Sequence, residues 1–281
     1  MNIKLLSQAI LAINILFSCS SNNKSTSVEP VPPADSVLIR TDFQQYFKSC
    51  NVHGSIVIYD NVKKQWIVSD TVESKQETLP ASTFKIINLL IALETKTIQN
   101  ENEVVPWPGS TDTVKYGYRP DIYRDMTVKE AFELSAGWVF VELAKKIGKE
   151  QYRKYLSLCN YGNLNLSQED ADFWNFGDFG ISPVNQVTFL KRLYEDNLPF
   201  STQNMEIVKQ VMITVQNKHY TVRSKTGWTR DNGINTGWWV GYITNKDGVY
   251  FFATRLLRDR KINSANFGSC RKEITLNIFK E

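Results

Sequence analysis

Ser82 and Lys85 stand three residues apart in Leu79-Pro80-Ala81-Ser82-Thr83-Phe84-Lys85. On a helix that spacing brings two side chains onto one face. The run that follows, Ile86 to Leu93, is apolar except for Asn88, so the helix is expected to be central and buried. A lysine at the first turn of such a helix loses its hydration, and burial favours the neutral amine over the ammonium. A neutral amine beside a hydroxyl is a base beside a nucleophile, which is the equipment of serine acyl transfer. The Ser-x-x-Lys spacing alone is common, and its ordinary reading is a solvated helix start. Its partners further along the chain decide its meaning.

Two histidines in 281 residues narrow the alternatives. His53 lies on a β-like run and His219 beside Tyr220, neither with the surroundings of a metal ligand. Both read as structural or surface residues, so the pattern disfavours zinc sites and Ser-His-Asp hydrolases, and no metal is expected. Other groups able to do chemistry follow in order: Ser135, Tyr161-Gly162-Asn163, Phe173-Trp174, Ser224-Lys225-Thr226-Gly227-Trp228, and Arg271 in Ser269-Cys270-Arg271-Lys272.

The elements that must position these groups read as strands at both ends and helices between. An amphipathic helix is expected over Ser36 to Lys48, then a hairpin of His53–Tyr59 and Gln65–Ser69. Residues Asn100 to Arg124, with Pro106, Pro108 and Pro120, read as irregular. Thr127-Val128-Lys129-Glu130 is a capping box. Helices are expected over Trp138–Ile147 and Lys149–Leu158, separated by Gly148, then from Ser182-Pro183 to Glu195 and over Thr202–Met212. Strands return at Tyr220–Ser224, Gly237–Thr244 and Val249–Leu256, the last two joined by the turn Asn245-Lys246-Asp247-Gly248, before a closing helix from Ser269 to Phe279. The fold class is therefore α/β of the α+β kind: an antiparallel sheet built from both termini, flanked by helices, with an inserted helical lobe.

The length allows one large domain with an ample core, and 42% hydrophobic residues suit a packed globular chain. The net charge of +4 comes from scattered basic residues, so no nucleic-acid partner is expected. Lys4 followed by the mostly apolar run Leu5 to Phe17 is too short to span a bilayer and reads as an export signal over residues 1–18. It ends at Ser18-Cys19-Ser20, which resembles a lipoprotein signal, so Cys19 is the expected lipidation site and membrane attachment through that lipid is expected. Residues 19–36, rich in Ser, Asn and Pro, read as a tether, and 37–281 as the catalytic domain. Cys50, Cys159 and Cys270 then remain, read as buried thiols with room for one bridge.

Taken together and in this order, the motifs Pro80 to Lys85, Tyr161-Gly162-Asn163, Phe173-Trp174, Ser182-Pro183-Val184-Asn185-Gln186-Val187, Lys225-Thr226-Gly227 and Trp238-Trp239-Val240-Gly241 resemble the class D β-lactamases. The resemblance spans about Arg40 to Phe279. It implies an exported, periplasmic or outer-membrane-associated enzyme of antibiotic resistance that opens β-lactams through an acyl-enzyme on Ser82. It implies Lys85 as general base, N-carboxylated by carbon dioxide, with no other cofactor, and Trp174 holding that carboxyl group through its indole N–H. Ser135 would relay a proton towards the leaving ring nitrogen. Lys225, Thr226, Gly227, Trp228 and Arg271 would bind substrate, with the N–H groups of Ser82 and Trp228 as oxyanion hole. One departure stands out: Gly137 and Trp138 replace the family's usual valine and proline, and glycine is expected to leave a gap beside Lys85 unless Trp138 fills it. The competing readings are a β-lactam sensor or a penicillin-binding transpeptidase, both of which acylate without efficient turnover.

Overall fold

In the computed structural model the described residues are 35–262 and 265–281. The export signal, Cys19 and most of the expected tether lie outside them.

A seven-stranded sheet forms the spine: β1 (Ser36–Ile39), β2 (His53–Asp60), β3 (Gln65–Val68), β6 (Ile213–Gln216), β7 (Tyr220–Asp231), β8 (Ile234–Asn245) and β9 (Gly248–Asp259). Its order is β1-β3-β2-β9-β8-β7-β6, antiparallel throughout except where β1 runs parallel to β3. Residues from both ends of the chain meet at its centre, with Val57 opposite Ala253. Two-residue strands β4 (Val104–Val105) and β5 (Met126–Thr127) pair separately.

Both faces of the central strands are covered, and their alternation sorts the core in two. Val57, Tyr59, Trp238, Val240, Tyr242, Phe251 and Ala253 face the helical side. Ile56, Ile58, Trp239, Phe252 and Leu256 face the terminal helices α1 (Gln44–Ser49) and α9 (Phe267–Ile278). A Cys50–Cys270 disulfide joins those two helix ends, and Cys159 is a buried free thiol. The helical side holds α2 (Lys85–Glu94), the short α3 (Thr113–Tyr116), α4 (Val128–Leu134), α5 (Gly137–Ile147), α6 (Lys149–Cys159), α7 (Pro183–Tyr194) and α8 (Thr202–Val211). Nine of the ten residues of α2 are buried, Lys85 included, which makes it the axis of this lobe.

The first expected element needs correction. Ser36 to Lys48 is not one helix: Ser36–Ile39 is an edge strand, and the helix spans only Gln44–Ser49. Main-chain pairing decides it, with Arg40 N–H on Val68 O at 2.9 Å and Ser36 N–H on Lys64 O at 3.1 Å, while all four strand side chains stay exposed. The helical signal was carried by Phe43 and Phe47, and both are buried by a shorter turn and helix. The strands after residue 220 run longer than expected, with β7 and β8 in unbroken register through Asp231 and Ile234.

Candidate active site

The Ser82 turn is not a smooth helix start. Ala81–Phe84 form a 3-10 turn, and α2 takes over at Lys85. Ala81 sits in the left-handed region at φ 51°, a conformation costing an L-residue about 1–3 kcal/mol. Its N–H donates to Trp174 O at 3.0 Å. Below it the Thr83 hydroxyl donates to Pro80 O at 2.8 Å and accepts from Gln186 Nε2 at 2.9 Å. The turn is thus held from two sides with Ser82 at its apex. Lys85 Nζ donates to Ser82 Oγ at 2.9 Å. Lys85 is 1% exposed and, among the described residues, faces no carboxylate within ion-pair distance. Burial pushes its amine down to about 7, so a substantial neutral fraction exists near neutral pH.

The opposite wall is the free edge of β7. Strand β6 pairs only with Thr221 to Arg223, so the edge is open beyond them. Ser224 directs its N–H outward, to Met212 O at 2.8 Å. With a strand period of two and no bulge in the β7–β8 ladder, the N–H groups of Thr226, Trp228 and Arg230 lie on that same outer edge. Gly227 is needed where this edge meets the Ser82 turn: a Cβ there would stand 2.8 Å from Pro80 O and 3.2 Å from Thr83 N.

A second serine–lysine pair closes the site. Ser135 ends α4 in the left-handed conformation at φ 59°. Lys225 Nζ donates to its hydroxyl at 2.8 Å, across 90 residues of sequence. Lys225 is buried, and its ammonium is pushed well below the ordinary lysine range, first by burial and then by the positive charges of Lys85, Arg271 and Lys272. Arg271 reaches over from α9, its guanidinium donating to Gly227 O at 2.7 Å and Gly268 O at 2.9 Å. Burial lowers its pKa to about 10. Gly237 clears the path, since a Cβ there would meet the Phe267 ring at 2.8 Å and Arg271 Cδ at 3.2 Å.

Ser82, Lys85, Ser135, Thr226, Gly227, Trp228 and Arg271 all line one cavity of about 490 Å³. Lys225 joins them through its bond to Ser135. Arg271, whose place near a helix start usually means solvent, is drawn into the wall instead. Trp174 lies behind the cavity, 1% exposed and stacked on Phe84 with ring centroids 4.9 Å apart. Its indole N–H is buried without a hydrogen-bond partner among the described residues. An orphaned buried donor next to the Ser82 turn fits an anionic group on Lys85. The gap at Gly137 is also present: a Cβ there would touch nothing within 4 Å. Trp138 lines the same cavity, but its indole N–H is held by Ile122 O at 2.7 Å and its ring packs edge-on to Trp107. Tyr161 and Asn163 serve the scaffold, Tyr161 in the aromatic cluster around Phe84 and Asn163 bonding Asp178 O at 2.9 Å.

Several lining residues were missed in the sequence: Lys115, Tyr116, Asn175, Thr229 and Arg230. Continuing the Lys-Thr-Gly strand at its period of two leads from Lys225 to Thr229 and from Thr226 to Arg230. Lys115 and Tyr116 belong to the proline-rich stretch, where no periodicity marks them. Both hold the buried Asp172 carboxylate, Lys115 at 3.1 Å, and so tie that stretch to the segment leading to Trp174.

The fold and these two serine–lysine pairs define a penicillin-recognising serine enzyme, and the comparisons agree. The family described as penicillin binding protein transpeptidase domain matches residues 54–280. β-Lactamase OXA-10 of Pseudomonas aeruginosa is 37% identical over 223 residues, covering 78% of this chain and 82% of its own. The probable β-lactamase YbxI of Bacillus subtilis is 36% identical, covering 81% of this chain and 80% of its own. Among solved structures, a class D β-lactamase from Sebaldella termitidis superposes with TM-score 0.81 at 38% identity, over 88% of this chain and 97% of that one. The chain belongs to the class D β-lactamases.

Proposed function

We propose that this protein hydrolyses β-lactams through an ester on Ser82, and that Lys85 is the base at which Ser82 gives up its proton. The observation that carries this reading is the 2.9 Å contact between Ser82 Oγ and a buried lysine whose amine is pushed down to about 7. Ser82 Oγ attacks the ring carbonyl carbon, and the developing oxyanion meets the N–H groups of Ser82 and Trp228. The ring C–N bond then breaks, and the nitrogen takes a proton through the Ser135 hydroxyl, which Lys225 resupplies. Lys225, Thr226 and Arg271 hold the substrate carboxylate.

A carboxyl group added to the neutral Lys85 amine by carbon dioxide would supply an anionic base for the water that cleaves the ester. The unpartnered Trp174 indole N–H and the Ser82 hydroxyl would hold it. The protein is further proposed to be exported, with a lipid on Cys19 tethering it to a membrane. Cys19→Ser should then release it from the membrane fraction, and an unlipidated mature N-terminus elsewhere would overturn the anchor.

The test of the catalytic reading is nitrocefin turnover in degassed buffer and after adding bicarbonate. Sustained, bicarbonate-stimulated turnover with a transient adduct on the Ser82 peptide is expected. A single burst followed by a stable adduct would make the protein a sensor or transpeptidase relative. Full activity in degassed buffer at or above neutral pH, unchanged by bicarbonate, would mean that Lys85 works as a free amine.

A further inference from the structure

The cavity gathers more basic side chains than one carboxylate can engage. On the loop side the cations are neutralised: Lys115 by Asp170 and Asp172, and Arg119 by Asp121. On the β7 side Lys225, Arg271 and Arg230 have no ion-pair partner among the described residues. Lys225 and Arg271 flank Thr226 and Gly227, where a ring carboxylate is expected. Arg230 is the outermost of the three. It is exposed, lies on the same strand edge beyond Trp228, and its guanidinium stands 5.0 Å from the Trp228 ring centroid. The adjacent acid, Asp231, makes no ion pair with it among the described residues and takes a bond from the Asn232 amide at 3.1 Å.

An arginine stacked on an aromatic ring is pre-organised, and its fork of donors suits a carboxylate. A bicyclic β-lactam carries its ring carboxylate at one end and its acylamino side chain at the other. Laid along the open β7 edge with the ring carboxylate at Thr226, it sends the side chain towards Thr229 and Arg230. From this we infer that Arg230 forms a second anion subsite, one that favours β-lactams bearing a carboxylate or sulfonate on the acyl side chain. The inference rests on the β-lactamase reading above.

Carbenicillin and benzylpenicillin differ only by a carboxylate on the side-chain α-carbon, so the ratio of their kcat/KM values isolates the subsite. Arg230→Gln should lower that ratio about tenfold, chiefly through the KM of carbenicillin, the scale of one charge-assisted hydrogen bond. Benzylpenicillin should change less than about twofold, as expected for an exposed substitution outside the reacting centre. Arg230→Lys should keep part of the preference, and raising salt from about 50 to about 500 mM should erode it in the unaltered protein. If Arg230→Gln leaves the ratio unchanged, or lowers both substrates equally, the subsite is overturned while the enzyme stands. Absence of benzylpenicillin turnover in the unaltered protein overturns the underlying reading as well.

Discussion

The cavity contains two serine–lysine pairs of nearly equal geometry, Ser82–Lys85 at 2.9 Å and Ser135–Lys225 at 2.8 Å. What separates them is the surroundings. Ser82 sits at the apex of a 3-10 turn facing the open edge of β7, where N–H groups point outward. Ser135 caps the end of α4, and its hydroxyl is already engaged by a lysine that other cations repel. Lys85 is perturbed by burial alone. A hydroxyl beside a neutral amine is a nucleophile only where a developing oxyanion also finds donors. These surroundings favour the proposed attack by Ser82 and the proposed proton relay by Ser135.

The comparison breaks most visibly at the serines. Ser82→Ala should remove both the penicillin adduct and turnover, a loss on the order of 10^6 in kcat if it matches other serine nucleophiles. Ser135→Ala should still acylate on Ser82, slower by about 10^2–10^4, the usual range for a lost acid–base group. Intact-mass measurement after quenching separates the two. An adduct on Ser135 in the Ser82→Ala protein would reverse the assignment.

The lysines sharpen it next. The folded Lys85 pKa of about 7 lies below the ordinary 10.5, so between those values the unfolded chain binds more protons than the folded one. Stability from this group therefore rises with pH across that window and is lowest below about 7. In carbon-dioxide-free buffer, Lys85→Met should melt above the unaltered protein at pH 6, and this advantage should shrink towards pH 10. A constant difference in melting temperature across that range would refute a depressed Lys85.

Gly137→Val should be a milder perturbation. A Cβ at this position meets nothing within 4 Å, so the variant should fold normally and weaken the dependence on bicarbonate by shielding Lys85 from water. Unchanged bicarbonate dependence would mean that the gap has no influence on Lys85. The smallest effect on chemistry is expected from Cys50→Ser. It should cost about 2–5 kcal/mol of stability while leaving kcat nearly unchanged at low temperature. A fall in kcat comparable to Ser135→Ala would show that the disulfide also places Arg271.

The two pairs also mark what the sequence could and could not reveal. Ser82 and Lys85 meet through helix geometry, so spacing alone announces them. Ser135 and Lys225 are 90 residues apart and meet because an inserted helical lobe is folded against the sheet, which no local pattern encodes. They were reached through the resemblance instead. The same divide runs through the fold. Hairpins, capping residues and the helices after Gly148 were legible because each is a local preference. The edge strand Ser36–Ile39 was misread because its pairing with Gln65–Val68 is made by main chain, with no buried side chain to betray it. The Cys50–Cys270 bridge was left open because it depends on two terminal helices packing side by side.

The meeting of β2 with β9 also imposes an order in time. Val57 must wait for Ala253, and Cys50 for Cys270, 220 residues later. Contacts of such long range are slow to form, because the entropy of closing the intervening loop is lost before pairing rewards it. The α2 helix meets α5 and α6 within the first 160 residues, but the turn that carries Ser82 packs on β7 and β8, and α2 also needs α8. The β2–β3 hairpin stays one-sided until nearly the whole sequence has arrived. Ser82 thus lies in the first third of the chain, but β7, the opposite wall of its cavity, comes in the last quarter. A chain halted before residue 248 would carry Ser82 and Lys85 but neither the β9 strand that pairs with β2 nor Arg271, so the cavity is complete only once the C-terminal segment is in place.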